Sequence, residues 1–86
     1  MDRDLPADLL QEVLKELGIH AGFDGDYLVV RREPESPLVY KLWMRKGRRE
    51  TIRAATIRTL CKHILDIPTE MFNKAVAEAE ARRRKG

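Results

Sequence analysis

The side chains best suited to chemistry cluster between Arg31 and Arg53. Lys41, Trp43 and Arg45 recur at every second position, the spacing that puts residues on one face of a strand. Ammonium and guanidinium groups pair with phosphates and release counterions. An exposed indole stacks on a base. Arg49, Thr51 and Arg53 repeat the spacing a few residues later. The expected site is therefore a nucleic-acid-binding face. Lys41, Arg45, Arg49 and Arg53 would contact phosphates, Trp43 would stack, and Arg31, Arg32 and Arg48 would widen the patch. The competing expectation is that Trp43 packs beneath a helix and the charges merely solubilise a sheet.

Charge sorting along the chain supports an anionic partner. Residues 1–30 carry Arg3 and Lys15 against seven acidic side chains, a net of −5. Residues 31–62 carry ten basic side chains against Glu33, Glu35 and Glu50, a net of +7. A basic block that contains the chain's one tryptophan points first to nucleic acid. Arg82, Arg83, Arg84 and Lys85 are expected to form, with Gly86, a basic frayed tail that complements a helix dipole.

Other chemistries find fewer residues. His20 and His63 are the only histidines, and Cys61 is the only cysteine, so no zinc-type ligand set is expected. His20 could serve as a general acid or base, but nothing around it completes a catalytic constellation. Asp24 and Asp26 in a glycine-containing segment suit a turn better than a calcium loop. Gly22-Phe23-Asp24-Gly25 lacks the Gly-Lys-Ser/Thr of a phosphate-binding loop. The reading leans against an enzyme and calls for no cofactor and no metal. One cysteine forms no internal disulfide. No apolar run approaches the ~18 residues of a membrane span. The opening Met1-Asp2-Arg3-Asp4-Leu5-Pro6 lacks the basic start and apolar stretch of a signal peptide, so a cytoplasmic protein away from membranes is expected.

Eighty-six residues imply one domain, 1–86, with a small core. Leu9, Leu10, Val13, Leu14 and Leu17 follow one helical face, with Gly18 placed to end the helix. Residues 19–26 read as a loop. Tyr27 to Glu33 reads as a strand, and Pro34-Glu35-Ser36-Pro37 breaks it. Leu38 to Arg45 alternates: Leu38, Tyr40, Leu42 and Met44 would face the core, and Val39, Lys41, Trp43 and Arg45 the open side. Lys46-Gly47-Arg48 reads as a hairpin turn and Arg49–Arg53 as a third strand. Ile57, Leu60, Cys61, Ile64 and Leu65 form a helical stripe. Pro68 then opens a last helix with Met71, Phe72, Ala75, Val76 and Ala79 inward. The order is α-β-β-β-α-α. It predicts an α+β fold, a three-stranded antiparallel sheet with helices packed on one face.

This order and several local pieces resemble the HicA-like (YcfA-like) family of small RNA-cleaving toxins. The pieces are Leu9 to Gly18, Gly25-Asp26-Tyr27-Leu28, Lys46-Gly47-Arg48-Arg49, Ala55 to Leu60, and Ile67 to Phe72. The resemblance implies a fold like the double-stranded-RNA-binding domain and a preference for RNA over DNA. The family's catalytic histidine follows the glycine at the strand entry. This chain has Asp26, Tyr27 and Leu28 there, so no catalytic residue carries over.

Two other readings remain open. Residues 49–80 could form a dimeric ribbon-helix-helix DNA-binding regulator, with the strand Arg49–Arg53 in the major groove. Alternatively, the acidic first helix and basic sheet could complement each other across a homodimer or a protein partner, making an interaction module. Nucleic-acid affinity that falls steeply with salt separates the nucleic-acid readings from the interaction module, which predicts little such affinity and a stable oligomer.

Overall fold

The computed structural model describes residues 2–85. Strand β1 (Leu5–Pro6) leads into helix α1 (Ala7–Glu16), followed by β2 (His20–Asp24), β3 (Tyr27–Arg31) and β4 (Tyr40–Trp43). A 3-10 turn (Gly47–Arg49), strand β5 (Thr51–Ile52) and helix α2 (Ala54–Arg58) come next. Helix α2 runs into a π-helical segment (Thr59–Ile64), and α3 (Thr69–Lys85) completes the chain. The fold is α+β, with a three-stranded antiparallel sheet in the order β2-β3-β4.

Helix α1 buries Leu9, Leu10, Val13 and Leu14, the stripe its sequence period requires. It ends at Gly18, whose φ of +82° is cheap only without a Cβ. The Gly18 and Ile19 amides then close onto the Lys15 and Leu14 carbonyls. Helix α3 packs against α1 and adds Phe72, Ala75, Val76 and Ala79 to one continuous core with Leu28, Val30 and Met44. Truncating a fully buried side chain here, such as Leu14→Ala, costs ~2–5 kcal/mol.

Residues 19–26 depart from the expected loop. Residues 20–24 pair with β3 from His20↔Arg31 through Asp24↔Tyr27. Gly25, at φ +60°, takes the first central position of a two-residue hairpin turn, where a primed turn matches strand twist. Gln11 Nε2 on α1 donates to the Ala21 carbonyl at 3.2 Å, tying the edge strand β2 to the helix.

The expected third strand, Arg49–Arg53, also departs from its reading. Gly47–Arg49 coils into a 3-10 turn, and only Thr51–Ile52 is extended. That strand pairs with β1, not β4, in the register Leu5↔Ile52 and Pro6↔Thr51. Burial decides the partner: Leu5 and Ile52 both enter the core. The Ala7 amide then donates to the Glu50 carbonyl at 2.7 Å. Asp4 Oδ1 accepts from the Ala54 amide at 2.9 Å and caps the start of α2.

The stripe Ile57, Leu60, Cys61, Leu65 lies in the core as predicted, with Ile64 half-buried. Its backbone is not uniformly α. The Leu65 amide reaches back to the Leu60 carbonyl, a π-type bond, and Asp66 closes the segment at φ +56°. The Thr59 hydroxyl donates to the Ala55 carbonyl where the α-helix widens, a bond that competes with the helical ladder.

The C-terminal basic run is not a frayed end. Helix α3 continues through Lys85, and Arg82 and Arg83 are held by carboxylates of α1. Gly86, like Met1, lies outside the described residues.

Candidate nucleic-acid interface

The sheet has one packed and one open face. Ala21, Phe23, Leu28, Val30, Tyr40 and Leu42 share the packed face by register and adjoin the helical core. The open face follows from the same pairings in three rows: Asp24, Tyr27 and Trp43; Gly22, Val29 and Lys41; His20 and Arg31. The phase read for Tyr40–Trp43 is the one observed.

Trp43 is 57% exposed and Tyr27 38% exposed, directly opposite each other on neighbouring strands. Lys41 sits diagonally from Tyr27, with Nζ 4.2 Å from the ring centroid. A cation over an exposed ring contributes ~0.5–1 kcal/mol. Gly22 leaves the β2 side of the face bare, and a Cβ there would meet nothing within 4 Å. Leu42, Trp43, Glu50, Thr51, Arg53 and Thr56 line a shallow cleft on the β4 flank, so Arg53 borders the indole. Arg45 is exposed in the turn after β4. The flank along β4 thus gathers Lys41, Arg45 and Arg53, while Asp24 and Asp26 stand at the hairpin end.

Four of the eight predicted residues are not arranged as expected. Arg32 projects to the packed side. Its Nη2 donates to the Ile64 carbonyl at 2.6 Å and Nη1 to Leu65 at 3.4 Å, so it caps the π-helical segment. Arg48 lies 4.9 Å over the Phe23 ring, also on the packed side, beside α1. Arg49 belongs to the 3-10 turn instead of a sheet strand. Arg53 precedes α2 and reaches the face from its border, not from a third strand. Arg31 does lie on the open face, with Nη1 donating to the Ser36 carbonyl at 2.9 Å and pinning the loop before β4. Lys41 and Trp43 lie on the open face expected of them, and Arg45 is exposed in the turn that follows.

Tyr27, Val29 and His20 belong to the face and were absent from the sequence-derived site. The missed signal is Gly25-Asp26, a two-residue hairpin loop between two five-residue extended runs. Once β2 is a strand, its phase carries His20 to the open side opposite Arg31.

A second charged cluster lies on the helical side. Arg82 forks onto Glu16 at 2.8 and 3.1 Å, and Arg83 Nε donates to Glu12 at 3.0 Å. The bond to Arg82 holds the Glu16 carboxyl below the usual carboxylate range. Among the described residues no three or more His, Cys, Asp or Glu side chains gather as a metal site requires. No helix there is long and apolar enough to cross a membrane. In comparisons with known proteins, no family model, curated protein or solved structure matches the chain.

Proposed function

We propose that this protein binds nucleic acid through the open face of its β2-β3-β4 sheet. The observation that carries the reading is the pair of exposed rings, Tyr27 and Trp43, set side by side within a border of Lys41, Arg45 and Arg53. Exposed aromatics with cations around them supply stacking and phosphate neutralisation together. A face that only solubilises a sheet has no need of an indole 57% in water. RNA is put before DNA on the chain's resemblance to the HicA-like family. The role is that of a binder, because the position of that family's catalytic histidine is filled by other residues.

Titration of labelled single-stranded RNA, double-stranded RNA and duplex DNA at ~50 and ~200 mM salt tests the reading. Tight, salt-sensitive binding that weakens in a Lys41→Ala/Arg45→Ala double variant is expected. Absence of binding at the lower salt overturns it and leaves a protein partner as the occupant to seek.

A further inference from the structure

Resting on the nucleic-acid reading, we infer that the open face takes an unpaired strand running along β4, with one base on Trp43 and a neighbouring base on Tyr27 after Lys41 leaves that ring for a phosphate.

Three observations support this. The first is shape. Tyr27 and Trp43 rise from one row of an antiparallel sheet, and both rings are exposed. In a duplex each base already stacks on its neighbours and only groove edges are open. A base reaches a ring on a sheet only when it is unpaired.

The second is the position of charge. Lys41, Arg45 and Arg53 all lie on the β4 side, the first two flanking Trp43 along the chain and the third across the cleft from it. Asp24 lies in the same row as Trp43 but two strands away, on β2, and Asp26 stands in the hairpin turn, its carbonyl accepting from the Met44 amide. A polyanion crossing the strands toward β2 at this end would meet the Asp24 carboxylate. One following β4 meets Lys41, Arg45 and Arg53 against Glu50 alone in the cleft, and keeps Trp43 within reach of its bases. Gly22, Val29 and the Tyr27 ring then form an uncharged floor beside the backbone path.

The third is the Lys41–Tyr27 contact. The ammonium lies 4.2 Å from the ring centroid, on the surface that a base would use. In the free protein the cation therefore masks Tyr27 and leaves Trp43 as the uncovered platform. A phosphate beside Lys41 competes for the ammonium with a full negative charge, against the weaker field of a ring quadrupole. Arrival of the strand at Trp43 brings that phosphate and uncovers the second ring.

Trp43 is the only tryptophan, so its emission reports on its own ring. The test compares four probes of about 8 nucleotides: oligouridine, oligodeoxythymidine, an abasic ribose-phosphate strand of equal charge, and a blunt RNA duplex. The inference expects either single strand to quench Trp43 and to bind roughly tenfold or more tighter than the abasic strand or the duplex. Trp43→Ala is expected to lose that margin and Trp43→Phe to keep most of it. Lys41→Gln is expected to lower the salt slope on oligouridine by about one phosphate contact. Equal binding of the abasic strand without quenching overturns the inference and leaves charge-driven nucleic-acid binding standing. Preference for the duplex does the same. Failure of all four probes to bind removes the nucleic-acid reading itself.

Discussion

The guanidinium of Arg32 closes the π-helical segment by donating to the Ile64 carbonyl, 2.6 Å away across 32 residues of chain. Carbonyls at the end of a helix have no partners within it, and the αL residue Asp66 turns the chain before another turn can form. A cation from the strand side meets the negative end of that dipole. Arg32 is thus a structural residue within the basic block.

Replacing Arg32 with alanine is expected to lower stability by about 1 kcal/mol, since the carbonyls freed at this exposed site are rehydrated. Nucleic-acid affinity should not change. A lysine, which presents one charge centre instead of a planar fork, should restore only part of the loss. Urea unfolding of the three proteins, read beside an oligouridine titration, checks both statements.

The Gly25 turn sets the β2–β3 register, which faces Asp24 with Tyr27. At φ +60° an alanine is strained, and Gly25→Ala is expected to cost about 1–2 kcal/mol. Hydrogen exchange locates the effect: protection should fall first across the β2–β3 pair and little in α1 and α3. Loss spread evenly over the chain would mean that the hairpin is not the element that the glycine holds.

Local pattern made much of this fold legible before its coordinates. The apolar stripes of α1, the Ile57–Leu65 stretch and α3 face the core, apart from Met71, expected inward but exposed, because a 3.6-residue period leaves one side of each to bury. The alternation across Tyr40–Trp43 carried the phase of the open face for the same reason, with a period of two. What pattern did not carry was choice of partner. Thr51–Ile52 looks like any short strand, and it pairs with Leu5–Pro6 because two apolar residues distant in sequence are buried together. The basic side chains diverged similarly. Arg31 and Arg32 are neighbours in sequence but point to opposite sides of a sheet, one pinning a loop and the other capping a helix. Net charge counts both alike. Gly25-Asp26 is different, since its spacing was sufficient to reveal β2, and with it Tyr27 as the second ring of the site.

Cys61 is buried in the core, and desolvation pushes its thiol up to about 11. The thiolate is the reactive form, so native protein at about pH 8 should react with iodoacetamide at least a hundredfold more slowly than the urea-unfolded chain. Cys61→Ala should be better tolerated than Cys61→Ser, whose hydroxyl would be buried without a partner at ~1–3 kcal/mol. Alkylation followed by mass spectrometry gives the first result and thermal melts the second. Rapid labelling of folded protein would show a core that opens far more often than its packing implies.

The ion pairs that tie α1 and the segment before β1 to α3 make stability sensitive to acid. Arg82 donates twice to Glu16, and Arg3 donates to Glu80 at 2.8 Å. These hydrogen bonds are the main reason that both carboxyls lie below their ordinary range. A carboxyl depressed in the folded state adds stability that is present above its unfolded pKa and lost as pH falls through the folded value. Wild-type protein should therefore melt higher than Arg82→Ala near neutrality, and the gap should close as pH drops below the usual glutamate range. Raising salt to ~1 M at neutral pH should narrow the same gap, because both partners are partly in water and screened. Melting curves of the two proteins from about pH 7 to pH 3 measure it. A gap independent of pH would assign the effect of Arg82 to packing of its aliphatic stem against α1, and not to its charge on Glu16.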